Sequence, residues 1–422
     1  MGRPARRRSA KRRRMRPYTT VEGLLDAAKR HALHSTAAPS LQLPFRTAAL
    51  RPTHNYVKVV RQFGCGAVAA KDLLAGTTLV CEKALAMVLD AQIDEAVEEE
   101  DAENADGALL ILRLAARLVQ EPSFEAELFA LFPRTDAEVD PLRPWRCSHD
   151  GLQRLVETAL ATLDESLARR LPHIVRYNAV SCETGGDLYA YATSPEALLS
   201  GIALYRDSSV FNHSADPNVA RWHAGDVACF RTNRAVEAGE PLTVSYVASP
   251  LLADAAAVNG ALEHFDFGGG ARAYPSIDPD AQDALMMLPP ADRLKTIADI
   301  SGRDAEASAT LFADRLELTI QKAAALQESG DPSGAAEAWL AALLSAAEWL
   351  PPNDEQVASI GVQCAKALAH ADGLVAGRAV LQAAYASHAI AFAPGVRLFA
   401  KRYEGDLLLP PAAPDELLGC LL

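Results

Sequence analysis

Asn212-His213-Ser214-Ala215-Asp216-Pro217-Asn218 is the stretch whose reading decides the fold. It places an amide and an imidazole side by side, then closes on Pro-Asn. An isolated histidine is ordinarily a satisfied core residue. Here its neighbours are polar groups able to hold a ligand through side chain and backbone alike. Around it, residues 205–247 alternate short strands with turn signals. HAGDV (223–227) is expected as a hairpin tip, and EAGEP (237–241) as a turn before the strand LTVSYV.

Two further segments belong with it. Upstream is Gly64-Cys65-Gly66, followed by Ala75-Gly76 and Glu82; alone, these glycines would be a tight turn between strands. Downstream, Arg234-Ala235-Val236 leads into Gly239-Glu240-Pro241-Leu242-Thr243-Val244-Ser245-Tyr246. The three segments in this order resemble a SET-domain lysine methyltransferase, and most of all the SET-and-MYND (SMYD-like) class. Those proteins carry a GxG segment, then NHSCxPN, then GEELTxxY. The resemblance covers roughly 55–270 and, more loosely, a helical tail. It implies an α+β fold: a SET β-fold of short strands with a helical insert, followed by an all-α, TPR-like domain.

The same resemblance implies S-adenosylmethionine as cofactor and a protein lysine as substrate. Tyr246 then stands where the family has its catalytic tyrosine, with Gly64, Gly66, Asn178, Asn212, His213 and Phe267 at the donor. Tyr205 and Phe265 are expected along the lysine channel, although a packed strand tyrosine is an equal reading of Tyr205. These residue types suit the chemistry. Transfer needs the sulfonium methyl and the amine held in line. The amine must also be neutral, and desolvation lowers a lysine pKa from about 10.4. Glycines let backbone approach the donor closely.

The sequence departs from the family in informative places. Ala215 stands where the class has a zinc-binding cysteine, and Phe267-Gly268-Gly269-Gly270-Ala271 holds no cysteine. Losing every ligand together is consistent, so no zinc is expected. No cysteine cluster for a MYND finger lies in 95–180. Phe63 and Cys65 flank the glycines where relatives carry Lys or Arg, leaving Arg61 as the nearest substitute. Phe265 replaces a channel tyrosine.

The rest of the chain divides around this core. Residues 1–20 are expected as a disordered basic tail and 21–54 as a short helix and linker. Residues 55–92 form the first SET part, 93–172 the helical insert, and 173–248 the catalytic core, with strands at 174–182 and 187–192. A post-SET-like segment and linker follow over 249–290, then the helical domain over 291–422. Helices are expected there at 305–329, 333–349, 354–370, 373–391 and 394–405. Gly330-Asp331-Pro332 and Pro351-Pro352-Asn353 punctuate them.

Charge and composition bound the partners. The net charge is −13, and nine Lys or Arg lie within residues 3–16, so the remainder carries −22. That body excludes non-specific nucleic-acid binding by its overall field. The tail reads as a nuclear address, a solvated tail or an organelle presequence, placing the protein in the nucleus, the cytoplasm or both. Eight acids fall within 94–106, a solvated loop or an attractor for a basic peptide such as a histone tail. The helical domain is expected to bind protein partners. No apolar run reaches the roughly 18 residues of a membrane span. Seven scattered cysteines, the closest pair 16 residues apart, read as buried reduced thiols. The rival to an enzyme is a catalytically weak SET protein that acts as a scaffold through its helices.

Overall fold

The computed structural model describes residues 57–60, 66–89, 104–142, 144–183, 200–214, 216–224, 227–246, 262, 284–307, 316–392 and 395–403. The expectations for residues 1–54, 187–192 and the 247–261 and 263–283 stretches lie outside them.

The β region begins with β1 (Val57–Val60) and β2 (Gly66–Ala69), paired antiparallel with Val57 opposite Ala69. A turn follows in which Gly76 adopts φ +78°, a left-handed conformation that a side chain would strain. β3 (Thr78–Lys83) and β4 (Ala86–Leu89) come next.

The insert supplies α1 (Ala105–Gln120), α2 (Glu125–Leu128), α3 (Asp150–Leu160) and α4 (Glu165–Asn178). Ala108, Ile111, Leu114, Ala115 and Leu118 recur at helical spacing on α1 and are buried. They join Leu167, Leu171 and Ile174 of α4 in one core with Val88 and Ile202 of the sheet. The strand expected from 174 starts later, because Ile174–Asn178 complete α4 and β5 is Ala179–Glu183. Asp164 caps that helix by accepting from the Leu167 N–H at 2.9 Å. Leu167, Leu171, Ile174, Val175 and Asn178 then fall on one buried face, so the helical period prevails over the β-branched residues.

Beyond it lie β6 (Ser200–Leu204), β7 (Asn212–His213), β8 (Val219–Ala224), β9 (Val227–Thr232) and β10 (Pro241–Val244). The strands form three small sheets, ordered β1-β2-β10-β7, β3-β9-β8 and β4-β6-β5. β8 and β9 are the expected hairpin, with Ala224 opposite Val227. Leu79, Val80, Tyr205, Phe211, Phe230, Leu242 and Val244 pack between the sheets.

The C-terminal region is helical: α5 (Pro290–Ala307), α6 (Leu316–Glu328), α7 (Pro332–Trp349), α8 (Glu355–Asp372), α9 (Leu374–Ala391) and α10 (Val396–Arg402). Of the helix expected over 305–329, residues 305–307 end α5 and 316–328 form α6, while 308–315 lie outside the described residues. Asp331 caps α7 with Pro332 in its first turn, and Asp354 caps α8. Gly373, at φ +85°, separates α8 from α9.

This region is tied to the β core through backbone carbonyls. The Arg231 guanidinium donates to Gly76 O, with Nε at 3.1 Å, and to Phe392 O at the end of α9. Asn353 donates to Asn233 O. Trp222 meets the Phe392 ring edge-on at 6.3 Å.

Candidate active site

β7 and β10 build the centre of the site. They pair in parallel, with Thr243 beside Asn212 and Val244 beside His213. The Ser214 N–H donates to Val244 O at 3.0 Å and continues the ladder. The chain leaving β10 therefore passes directly over His213. The Tyr246 backbone N–H donates to His213 Nδ1 at 3.1 Å, and the two rings lie 5.5 Å apart. Because Nδ1 accepts, His213 is the neutral tautomer with its proton on Nε2. Burial lowers its pKa, which favours the same state.

The Tyr246 hydroxyl donates to Phe211 O at 2.9 Å. Burial pushes that phenol up to about 12, partly offset by the charge of Arg221. It is a neutral phenol at physiological pH. Its proton is committed to a carbonyl, and a phenol oxygen is also an acceptor. The ring packs against both the sheet core and the cluster of Ala335, Trp339 and Leu316 in the C-terminal helices. The tyrosine thus stands at the seam between the two regions.

On the other side of Asn212 lies Gly66, at the start of β2. A Cβ there would come within 2.9 Å of Asn212 Nδ2. Glycine is the only residue that fits without moving the amide. The structure therefore brings Gly66, Asn212, His213 and Tyr246 together. Gly64, Phe265 and Phe267 lie outside the described residues.

Two other expected residues have different surroundings. The Asn178 side-chain amide donates to Phe132 O and to Ile174 O at 2.8 Å, both in the insert. Tyr205, at 1% exposure, packs in the sheet core with its ring 5.8 Å from His223. Burial lowers the His223 pKa to about 3, with Arg221 adding to the effect, so that ring is neutral.

Several supporting residues carry no role in the sequence reading. Asn218, the last residue of the decisive stretch, is buried. Its amide donates to Pro241 O at 2.7 Å and Glu240 Oε1 at 3.0 Å, and its Oδ1 accepts from the Thr243 N–H at 2.9 Å. It locks the second motif to the third. Glu240 in turn pairs with Arg234 at 2.7 Å, which holds its carboxyl below the usual range. Glu82 of β3 is buried and accepts the N–H groups of Asp207, at 2.9 Å, and Ser208. It fixes the turn that leads into β7. The places of Asn218 and Glu240 within the second and third motifs are the available signal. Nothing in the sequence joins Glu82 to a turn 125 residues away.

Residues 64–247 match the family model of the SET domain. The three sheets and their helical insert have the SET domain fold, followed by a helical C-terminal region. Among solved structures, a similar one is the crystal structure of the SET domain of LSMT bound to lysine and AdoHcy. It is 13% identical, with 87% of this chain and 84% of that chain covered, at a TM-score of 0.27. No curated protein matches the chain.

Proposed function

We propose that this chain is an S-adenosylmethionine-dependent methyltransferase acting on a protein lysine. The observation that carries the reading is the β7–β10 pairing, which sets Tyr246 against His213 while Asn212 closes on Gly66. In that reading Asn212, His213 and the glycine backbone hold the donor. Tyr246 presents its oxygen lone pairs to the methyl and the incoming amine, with its own proton kept on Phe211 O. A fixed dipole facing a group that carries positive charge through the transition state lowers the barrier without reorganisation. The buried surroundings of Tyr246 favour a neutral lysine over a lysinium.

The reading extends to the SET-and-MYND-like subclass, without the MYND finger and without zinc, and with a TPR-like helical domain walling the substrate groove. It places the protein in the nucleus, the cytoplasm or both. Among the described residues no helix is long and apolar enough to cross a membrane. The test is calorimetric titration of the folded full chain with S-adenosylhomocysteine, joined to labelling of whole-cell extract with methyl-labelled donor and mass spectrometry of the products. Saturable binding with label on lysine supports the reading. Absence of binding by folded protein discards it.

A further inference from the structure

The cysteines scattered along the sequence are not all apart in space. Cys81 of β3 and Cys229 of β9 stand directly opposite in the antiparallel register, with their sulfurs 3.1 Å apart. Both are free, buried thiols, at 3% and 1% exposure. Directly opposed residues in such a pair have Cα atoms about 4.5–5.5 Å apart, and a disulfide spans about 4.4–6.8 Å. The bond of about 2.05 Å requires the sulfurs to close by roughly 1 Å, a side-chain adjustment with no change of backbone register.

The surroundings define when they react. Side chains alternate across a strand, so Cys229 shares its face with Arg231, two residues along β9. It also shares that face with Trp222, its partner on β8. This is the face that the end of α9 covers, through Arg231 on Phe392 O and Trp222 on the Phe392 ring. Burial pushes the Cys229 thiol up, and the positive charge of Arg231 only partly opposes it. A thiol in that state is a poor nucleophile while the face is covered. Loosening the α9 end admits water and oxidant and leaves the guanidinium beside the sulfur.

We propose that Cys81 and Cys229 are a reversible dithiol–disulfide site, a cross-strand bond between β3 and β9 formed by peroxide when the α9 cover loosens. One thiolate attacks hydrogen peroxide, giving a sulfenic acid and, after proton transfer, one water. The second thiol attacks that sulfur, the S–S bond forms, and the hydroxyl leaves as a second water. Two thiols lose two protons and two electrons, and one peroxide takes them up to become two waters. The bond closes a span of 148 residues that contains the whole helical insert, so it restrains the unfolded chain strongly.

The test treats reduced, desalted full-length protein with hydrogen peroxide, alkylates remaining thiols in denaturant, and maps the peptides without reduction. The treatment is run in native buffer and in urea just below the unfolding transition, where the α9 end is loosened. The expected result is a Cys81–Cys229 linked peptide pair, two hydrogens lighter than its parts, formed faster in urea and lost on adding dithiothreitol. The thermal midpoint of the oxidised protein rises by several degrees, and this rise is absent in both Cys81→Ser and Cys229→Ser. Recovery of both cysteines as alkylated thiols in both conditions overturns the proposal. So does pairing of either with another cysteine, or their separate conversion to sulfinic acids.

Discussion

Asn218 and Gly377 both lie buried where two elements meet, yet they hold those elements together by opposite means. Asn218 spends every polar atom of its amide on the neighbouring motif, with two donated bonds and one accepted. Gly377 contributes only the absence of a side chain: a Cβ there would sit 2.3 Å from Ala365 O, so α8 and α9 approach through bare backbone. The contrast runs through each region. In the β core, Asn218, Glu82 and Asn233 aim buried polar groups at distant backbone, fixing where individual atoms stand. In the C-terminal helices, Ala323, Ala335, Ala342, Ala346 and Ala365 fill the interfaces, which sets spacing and leaves chemistry aside. The β core is therefore expected to be sensitive to the loss of single polar atoms, and the helices to the gain of single methyls.

The largest effect is expected at Tyr246. Tyr246→Phe keeps the ring between the two regions and deletes only the hydroxyl on Phe211 O. Turnover should fall by roughly a hundredfold or more, while affinity for S-adenosylhomocysteine changes little. Labelled-donor kinetics beside calorimetry separates the two, and unchanged turnover would remove Tyr246 from the chemistry. Asn218→Ala comes next. It strips the Thr243 N–H and two carbonyl or carboxylate oxygens of a buried partner, and should cost about 3 kcal/mol in urea unfolding. Asn218→Asp keeps only the acceptor and sets a carboxylate against Glu240, so it should be no better. A loss below about 1 kcal/mol would deny that polar bonds hold the core.

Gly377→Ala is the matching test in the helices. Alanine is favoured over glycine in a helix by about 1 kcal/mol, so propensity alone predicts a gain. The contact with Ala365 O predicts the reverse, because backbone cannot swing aside as a side chain does. We expect a net loss of about 2 kcal/mol, measured by thermal or urea unfolding. Gly361→Ala, whose new methyl would come closest to the Ala384 methyl, at 3.0 Å, should cost less. A stabilised Gly377→Ala protein would show that close backbone approach does not hold α8 to α9.

This division also explains what could be read from the sequence. Asn212-His213, Gly239–Tyr246 and the Gly66 segment were legible because their residue types are unusual for their places, and the structure draws them together. Local punctuation was legible too: Asp331-Pro332 starts α7 and Gly239 turns the chain before β10, at φ +86°. Contacts set by register were not. Cys81 and Cys229 meet only because β3 and β9 pair with one offset among many. Ile174 and Val175 favour strand locally, and only packing against α1 and the sheet makes them the last turn of α4. Asn178 kept a motif-like context, while its amide is engaged by Phe132 and Ile174 of the insert.

The remaining expected effect concerns Glu82, and it separates a polar bond from the charge that makes it. Burial raises the Glu82 carboxyl from 4.5 to about 7, against the lowering influence of its bonds to Ser208 and Asp207. The folded protein therefore keeps a proton that the unfolded chain releases between those pH values. Stability from this group is fully present below about 4.5 and is lost as pH rises through about 7. Buried His223 and His388, lowered to about 3, act in the opposite sense, losing stability as pH falls below their unfolded value of 6.5. The raw pH profile thus mixes opposing slopes, and the difference between two proteins isolates one of them. In Glu82→Gln the amide oxygen still accepts an N–H, but nothing titrates. The stability of the natural protein minus that of Glu82→Gln should fall by roughly 2 kcal/mol between pH 5 and pH 7.5, with the slope fading below about pH 4 and above about pH 7.5. Parallel profiles would mean that Glu82 carries its ordinary charge in the fold, and that its two backbone bonds offset its burial in full.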